Sequence, residues 1–173
     1  QNINAARLVC QELDVEEDLF YKHISSFKGA KNRLELIKKL DTSSIYKDFA
    51  HSPSKLEATT KAVKKQFKNR KLVACLELHT FSSLNKKFLK EYYKKMNHAE
   101  KAIIFFDKRI LKNKGLKDIN EEIIKKAFNH KDIKVFTNSK ELKNHLKKID
   151  WNNTNLLMMS SGNFNNINLN NLI

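Results

Sequence analysis

The sequence has few of the residues that build disulfide-rich or membrane-spanning proteins. Its 173 residues include only two cysteines, three glycines and one proline. Cys10 and Cys75 each lie in an apolar run, so these two thiols predict neither a disulfide framework nor a metal site. No apolar run approaches the roughly 20 residues that a membrane span requires. We therefore expect one cytoplasmic domain with a buried core, together with part of another domain.

Motifs of the common phosphate, metal and nucleophile sites are also missing. Neither G-x-x-x-x-G-K-[ST] nor G-x-G-x-x-G occurs, which excludes the two familiar triphosphate-binding loops. H-E-x-x-H and paired C-x-x-C are absent and the six histidines are scattered, so we predict no metal ligands. No G-x-S-x-G turn is present to expose an activated serine. The sequence thus identifies no catalytic residue in this chain.

Positive charge is in excess, with 34 lysines and arginines against 19 acidic residues and a net charge of +15. Such a field attracts nucleic acid, anionic lipid or phosphorylated small molecules without choosing among them. The runs KKQFKNRK and KKFLKEYYKK leave a basic nucleic-acid-binding module open as an alternative. Both runs fall on predicted helices, where aromatics at helical spacing belong to the core and lysines face water. We therefore do not expect nucleic acid to be the partner.

The order of predicted strands and helices is regular. Helices are predicted over residues 1–13 and 16–26, and two strand-like runs, RLELIKKL and SSIYKDF, lead to a helix with Ser52 as N-cap and Pro53 in its first turn. The order then runs KLVACLEL (strand), LNKKFLKEYYKKM (helix), KAIIFFD (strand), INEEIIKKAFNH (helix), IKVFT (strand), SKELKNHLKKI (helix) and TNLLMMS (strand). This alternation predicts an α/β domain with a mostly parallel sheet flanked by helices.

Three polar segments, DFAHSP, LHTFSS and SSGNFN, follow predicted strands. Ligands of parallel sheets bind outside the carboxyl ends of the strands, so these segments are the candidate site. Asp48 can accept two hydrogen bonds from a sugar diol, and His51 can donate to a phosphate or carboxylate. The loop around Gly162 can present amides to a carboxylate. From the residues alone, the plainer interpretation of each segment as an ordered turn is favoured.

Taken together and in this order, the segments resemble the carboxyl-terminal part of the Mur ligases, which use ATP to build and recycle the peptide stem of bacterial peptidoglycan. QNINAA resembles the end of the family's H-N-x-x-N segment, and SFKGAKNRLE resembles its S-F-x-G-x-x-R-R-x-E junction. DFAHSP resembles D-[YF]-[AG]-H-H-P, and MSSGNF is similar to the final loop of the tripeptide-recycling branch. The resemblance implies that residues 1–40 are the tail of a central ATPase domain and its hinge. Residues 41–173 would then be a Rossmann-like C-terminal domain.

The resemblance also implies a reaction and its partners. ATP, with magnesium, phosphorylates a carboxylate of UDP-N-acetylmuramate, and the amine of a tripeptide or of alanine attacks the acyl phosphate to form an amide. ATP would be contacted by Asn2, Arg33 and Asp48. The incoming amine substrate would be contacted by His51, His79, Ser160, Ser161 and Asn163.

One departure bears on the amine. Alanine-adding members carry H-R-F-T-R where this chain reads HTFSS, so both arginines are missing, at Thr80 and Ser83. This favours the tripeptide-recycling branch. The resemblance places the UDP-binding domain, the phosphate loop and the magnesium ligands upstream of Gln1. We therefore expect this chain to act as a closing lid and to be inactive alone.

Overall fold

The computed structural model describes residues 2–113 and 119–172, and it divides after Ala30 into two compact units. The first unit contains α1 (Asn2–Glu12) and α2 (Glu17–Ile24), which confirms the two predicted helices within their described residues. Glu17 and Asp18 occupy the first turn of α2, where negative charge is favourable. Among the described residues of these two helices, Phe20 of α2 is the one that is buried.

The second unit, from Lys31 onward, is built on one six-stranded sheet. Its strands are β1 (Glu35–Lys39), β2 (Ser44–Asp48), β3 (Lys71–Glu77), β4 (Lys101–Phe105), β5 (Ile133–Phe136) and β6 (Thr154–Met159). Its helices are α3 (Pro53–Gln66), α4 (Lys108–Asn113), α5 (Glu121–Phe128) and α6 (Ser139–Lys147). The strand order is β1-β2-β6-β3-β4-β5. Only the β1–β2 pairing is antiparallel among the described strands, which confirms the predicted, mostly parallel α/β fold.

The second unit begins at Lys31 and includes β1, which pairs with β2. The boundary at residue 41 that the resemblance implied therefore lies about ten residues further along the chain. The assignment of residues 1–40 to the tail and hinge of a central ATPase domain stays a prediction. No helix in the described parts of the chain combines the length and the apolar character that a bilayer crossing requires.

The segment 84–96 differs from its prediction as a helix. It forms turns around a short 3-10 helix, Phe88–Tyr92, and the helix prediction is wrong. Lys94 has a left-handed backbone (φ +59), and its amide donates to the carbonyl of Phe128 at 2.9 Å. This tertiary hydrogen bond ends the 3-10 turn, while Leu89 is buried beneath it. Local periodicity was therefore overridden by packing against α5.

Both faces of the sheet are covered. Helices α3 and α5 pack on one face, and α6 packs on the other. Along β6, successive side chains alternate between the two clusters, as period-two geometry requires. Leu157 and Met159 join the α3 and α5 side, whereas Leu156 and Met158 join the α6 side. Strand β6 is thus buried on both faces, which explains its continuous apolar run.

Leu157→Ala is expected to lower the free energy of unfolding by about 2–5 kcal/mol, because it opens a cavity in the central strand. Leu157 is fully buried. The matched control is Leu36→Ala on edge strand β1, where the side chain is exposed and the loss should stay under about 1 kcal/mol. Urea unfolding followed by circular dichroism measures both. Equal losses in the two variants would contradict this description of the core.

Candidate active site at the carboxyl edge of the sheet

The carboxyl ends of β2, β6 and β3 lie side by side. The register pairs Asp48 of β2 with Met159 of β6, and Met159 with Leu76 of β3. The Ser160 amide also donates to the Asp48 carbonyl at 3.0 Å, which ties the loop after β6 to the end of β2. Seven of the eight predicted site residues follow these strand ends or pack against them.

Asp48 orders the turn in which it lies. Its side chain is buried, its Oδ2 accepts from the amide of Leu34 at 2.6 Å and its Oδ1 accepts from the amide of Ala50 at 2.7 Å. The carboxylate thereby fastens the segment before β1 to the end of β2. Each oxygen retains a second acceptor position, so the contact with ribose that the resemblance implies stays a prediction.

Arg33 and His51 flank that turn through the ring of Phe49. The Arg33 guanidinium lies 5.6 Å from the ring centroid, and the His51 ring meets the same ring edge-on at 5.1 Å. His51 Nδ1 is 2.9 Å from the Phe49 carbonyl, and the Tyr92 hydroxyl donates to the His51 carbonyl at 2.6 Å. These contacts bring Arg33, Asp48 and His51 together in one cluster. Arg33 itself is exposed, which leaves its charge available to an anion.

Asn2 lies on α1, in the first unit, and is exposed. Its predicted contact with adenine stays a prediction.

The sequence prediction missed Glu77, which lies beside His79 and accepts hydrogen bonds from the loop after β6. Its side chain is 2% exposed at the end of β3. Glu77 Oε2 accepts from the Ser160 hydroxyl and from the Phe164 amide at 2.9 Å, and its Oε1 lies 3.8 Å from His79 Nδ1. This buried carboxylate holds the loop after β6 through two hydrogen bonds, and His79 lies beside it without a hydrogen bond from Nδ1 to any described residue.

Gly162 allows this close approach. A Cβ at this position would lie 2.8 Å from Glu77 Oε2 and 3.0 Å from the His79 ring. The Gly162 amide donates to the Ser160 hydroxyl oxygen at 2.6 Å. The glycine is therefore needed for space, because any side chain would push the loop away from Glu77.

Ser161 and Asn163 complete the loop. The Ser161 hydroxyl oxygen is buried and has no hydrogen-bond partner among residues 2–113 and 119–172. Asn163 is exposed, and its Nδ2 donates to Asn166 Oδ1 at 2.9 Å. The Ser161 hydroxyl is thus a buried group that the described residues leave unsatisfied, and it reaches a ligand only if the loop shifts to expose it.

A charged cluster adjoins the loop at the end of β4. Asp107 Oδ2 pairs with Arg109 at 2.6 Å and accepts from Asn165 Nδ2 at 2.7 Å. The hydrogen bond from Arg109 lowers the pKa of Asp107 from 3.8 to about 2. These side chains, with Thr137 and Ser139 after β5, line a cavity of about 520 Å³. The cavity extends the carboxyl edge and carries groups of both charges.

The signals for Glu77 and Asp107 are present in the sequence. Glu77 is the single acid in the apolar run LVACLEL, and Asp107 closes the run AIIFFD. Charged residues are seldom fully buried unless they are paired, so an acid at the end of a buried strand indicates a partner.

Comparison with known proteins identifies relatives. A family model described as Mur ligase, glutamate ligase domain, matches residues 32–162. The UDP-N-acetylmuramate–L-alanine ligase of Caldicellulosiruptor saccharolyticus is 35% identical over 103 residues, covering 60% of this chain and 22% of that protein. The chain therefore spans about a fifth of this relative.

Solved structures share the fold. A murein peptide ligase from Psychrobacter arcticus superposes with a TM-score of 0.66 at 20% identity, over 95% of this chain and 34% of that one. A MurF ligase from Thermotoga maritima, solved in complex with ADP, gives a TM-score of 0.65 at 17% identity, over 92% of this chain and 34% of that one. At these identities the likeness shows the fold.

Gly162→Ala is expected to lower the free energy of unfolding by about 1–3 kcal/mol, because the added methyl group collides with Glu77 and His79. Ser161→Ala is the neighbouring control. It removes an oxygen without a protein partner in the described structure, so it should change stability by less than about 0.5 kcal/mol. Urea midpoints measure both, and a wild-type midpoint for Gly162→Ala would show that the loop does not approach Glu77 as described.

Asp107 is expected to make stability depend on pH. Because its folded-state pKa is lowered from 3.8 to about 2, its ionised form stabilises the fold above pH 3.8. This contribution is lost as the pH falls from 3.8 towards 2. Asp107→Asn should therefore be less stable than wild type at neutral pH, and the difference should shrink in acid.

Asp41→Asn is the control for this measurement, since Asp41 is exposed. Its urea midpoint should follow that of the wild type at every pH. A stability difference for Asp107→Asn that stays constant down to pH 2 would show that Asp107 is not held in its ionised form.

Proposed function

This chain belongs to the Mur ligase family through its glutamate ligase domain, and we propose that it is the acceptor-binding domain of an ATP-dependent peptidoglycan ligase. The observation that supports this most is the convergence of His51, His79 and Ser161 at adjacent strand ends, with the Ser161 hydroxyl buried and without a protein partner in the described residues. The proposal concerns the whole protein, of which this chain would be the domain that binds the incoming amine substrate.

The proposed reaction has two steps. The γ-phosphoryl group of ATP passes to the carboxylate of UDP-N-acetylmuramate, giving an acyl phosphate and ADP. The neutral amine of the acceptor then attacks the acyl carbon, phosphate leaves, and an amide forms. The nucleotide phosphates carry negative charge throughout, and the exposed guanidinium of Arg33 can neutralise part of it. The phosphate loop and magnesium ligands are assigned to the upstream part of the protein.

On the acceptor side, the proposed contacts are polar and lie along one edge. His51 and His79 offer imidazole nitrogens, and Ser160, Ser161 and Asn163 offer hydroxyl and amide groups. Ser160 is held by Glu77, which leaves Ser161 as the buried hydroxyl with hydrogen-bonding capacity to spare. A lid that carries these groups would exclude water from the acyl phosphate when it closes.

We propose a tripeptide as the amine substrate. In the loop after β3, the Thr80 hydroxyl donates to Ser83 Oγ at 2.9 Å and the Thr80 amide donates to the same oxygen at 3.0 Å. The loop is thereby closed on itself and offers no guanidinium to a small amino-acid carboxylate. Alanine is the second candidate, because a curated relative that is 35% identical is an L-alanine ligase. Either enzyme would work in the bacterial cytoplasm, where its nucleotide substrates are made.

The decisive assay uses the full-length protein with ATP, UDP-N-acetylmuramate and either L-alanine or the stem tripeptide. We expect amide product and ADP in equal amounts, with a higher kcat/KM for the tripeptide. The 173-residue chain alone should form no product. A preference for alanine would support the second candidate, and product from the isolated chain would overturn the assignment of ATP chemistry to the upstream part.

Arg33→Ala in the full-length protein is expected to raise the KM for ATP by about tenfold or more, since one charge-assisted contact with phosphate is lost. Lys131→Ala is the charge-matched control, because Lys131 is exposed before β5 at the opposite edge of the sheet. Initial rates over a range of ATP concentrations measure both. An unchanged KM for ATP in Arg33→Ala would remove Arg33 from the nucleotide site.

A further inference from the structure

The loop after β6 has an unusual backbone. Phe164, Asn165 and Asn166 have φ angles of +52°, +53° and +60°, three left-handed residues in succession. Asparagine tolerates this region, whereas a bulky aromatic residue seldom adopts it, and left-handed residues normally occur singly. Such a backbone persists only where its surroundings hold it.

The first support comes from β3. Glu77 Oε2 accepts from the backbone amide of Phe164 at 2.9 Å and from the hydroxyl of Ser160. One carboxylate oxygen thus binds both the start of the loop and its first left-handed residue. The side chain is 2% exposed, so water does not compete for these hydrogen bonds.

The second support comes from the end of β4. Asp107 Oδ2 accepts from the Asn165 side chain at 2.7 Å, and the same carboxylate is fixed by Arg109 and by the Arg109 amide at 2.8 Å. Phe164 is 2% exposed, and its ring stacks on that of Phe105 with centroids 6.0 Å apart. Hydrogen bonds therefore hold Phe164 and Asn165, the first two residues of the left-handed turn, and the Phe164 ring packs against Phe105.

We propose that Glu77 and Asp107 are positioning residues that clamp this left-handed turn, so that Ser161 and Asn163 face the incoming amine substrate. This inference rests on the proposed function, because the amine substrate is what the loop would contact. Neither carboxylate needs to touch that substrate. Each acts through the loop, Glu77 through Ser160 and Phe164, and Asp107 through Asn165.

The chemical nature of the two side chains indicates that the clamp has a role beyond filling the core. A buried carboxylate is costly, and an apolar side chain at the end of β3 would satisfy the core at lower cost. The clamp instead places two buried carboxylates against an unfavourable turn. This turn lies next to the Ser161 hydroxyl, which has no hydrogen-bond partner among the described residues. Strained backbone at such a place indicates a preorganised binding loop.

The test begins with hydrogen exchange of the full-length protein, read by mass spectrometry on peptides that cover residues 160–166. Asn165→Ala removes the link to Asp107, and Glu77→Gln keeps the shape of the other link while removing its charge. Exchange in these peptides should accelerate by about tenfold in each variant, since a hydrogen bond to a charged group is lost or weakened. Asn144→Ala, on the exposed side of α6, is the control and should exchange as the wild type does.

Steady-state kinetics of the same proteins provide the second measurement. The KM for the amine substrate should rise by about tenfold in Asn165→Ala and in Glu77→Gln, whereas the KM for ATP should stay within about twofold of the wild type. A merely structural role would change both constants or neither. Asn165→Ala alters a half-buried loop residue and so remains informative if Glu77→Gln does not fold.

Unchanged exchange in both variants would overturn the clamp. Faster exchange with an unchanged KM for the amine would overturn its role in binding that substrate. A wild-type protein without ligase activity would overturn the proposed function and the substrate half of the inference, and the exchange data would still decide whether the clamp exists.

Discussion

The carboxylate of Glu77 lies where three parts of the molecule meet. It ends β3, it receives hydrogen bonds from Ser160 and Phe164 in the loop after β6, and it lies beside His79. Because the charge is buried, its donors cannot move away without leaving it unsatisfied. The position of the loop and the requirement for Gly162 both follow from this one buried acid. The position of the loop after β6 is thus fixed by an interaction inside the protein.

The turn after β2 is organised by a similar interaction. Asp48 uses both carboxylate oxygens to bind the amides of Leu34 and Ala50, and the Phe49 ring next to it contacts both Arg33 and His51. The Ser160 amide connects the loop after β6 to this turn by donating to the Asp48 carbonyl. The Mur ligase family model, which matches residues 32–162, includes these turns.

Much of the fold could be predicted because the strands are buried on both faces. Runs such as LVACL and LLMM are apolar at every step, and the helices between them repeat apolar residues at helical spacing. Segment 84–96 could not be predicted in this way, since its helical pattern is overridden by the hydrogen bond from Lys94 to Phe128. Nor could Glu77 be placed. Its partners, Ser160 and Phe164, come from the loop after β6. Strand β6 lies between β2 and β3 in the sheet, and periodicity does not report strand order.

The central claim is that the loop after β6 and the loop after β3 together bind the incoming amine substrate. The most direct measurement is hydrogen exchange of the full-length protein with UDP-N-acetylmuramate and a non-hydrolysable ATP analogue, with and without the stem tripeptide. We predict that the tripeptide slows exchange in peptides covering residues 79–83 and 160–166 and leaves the amino edge of the sheet unchanged. Protection confined to other parts of the protein, or no protection at a saturating tripeptide concentration, would contradict the account.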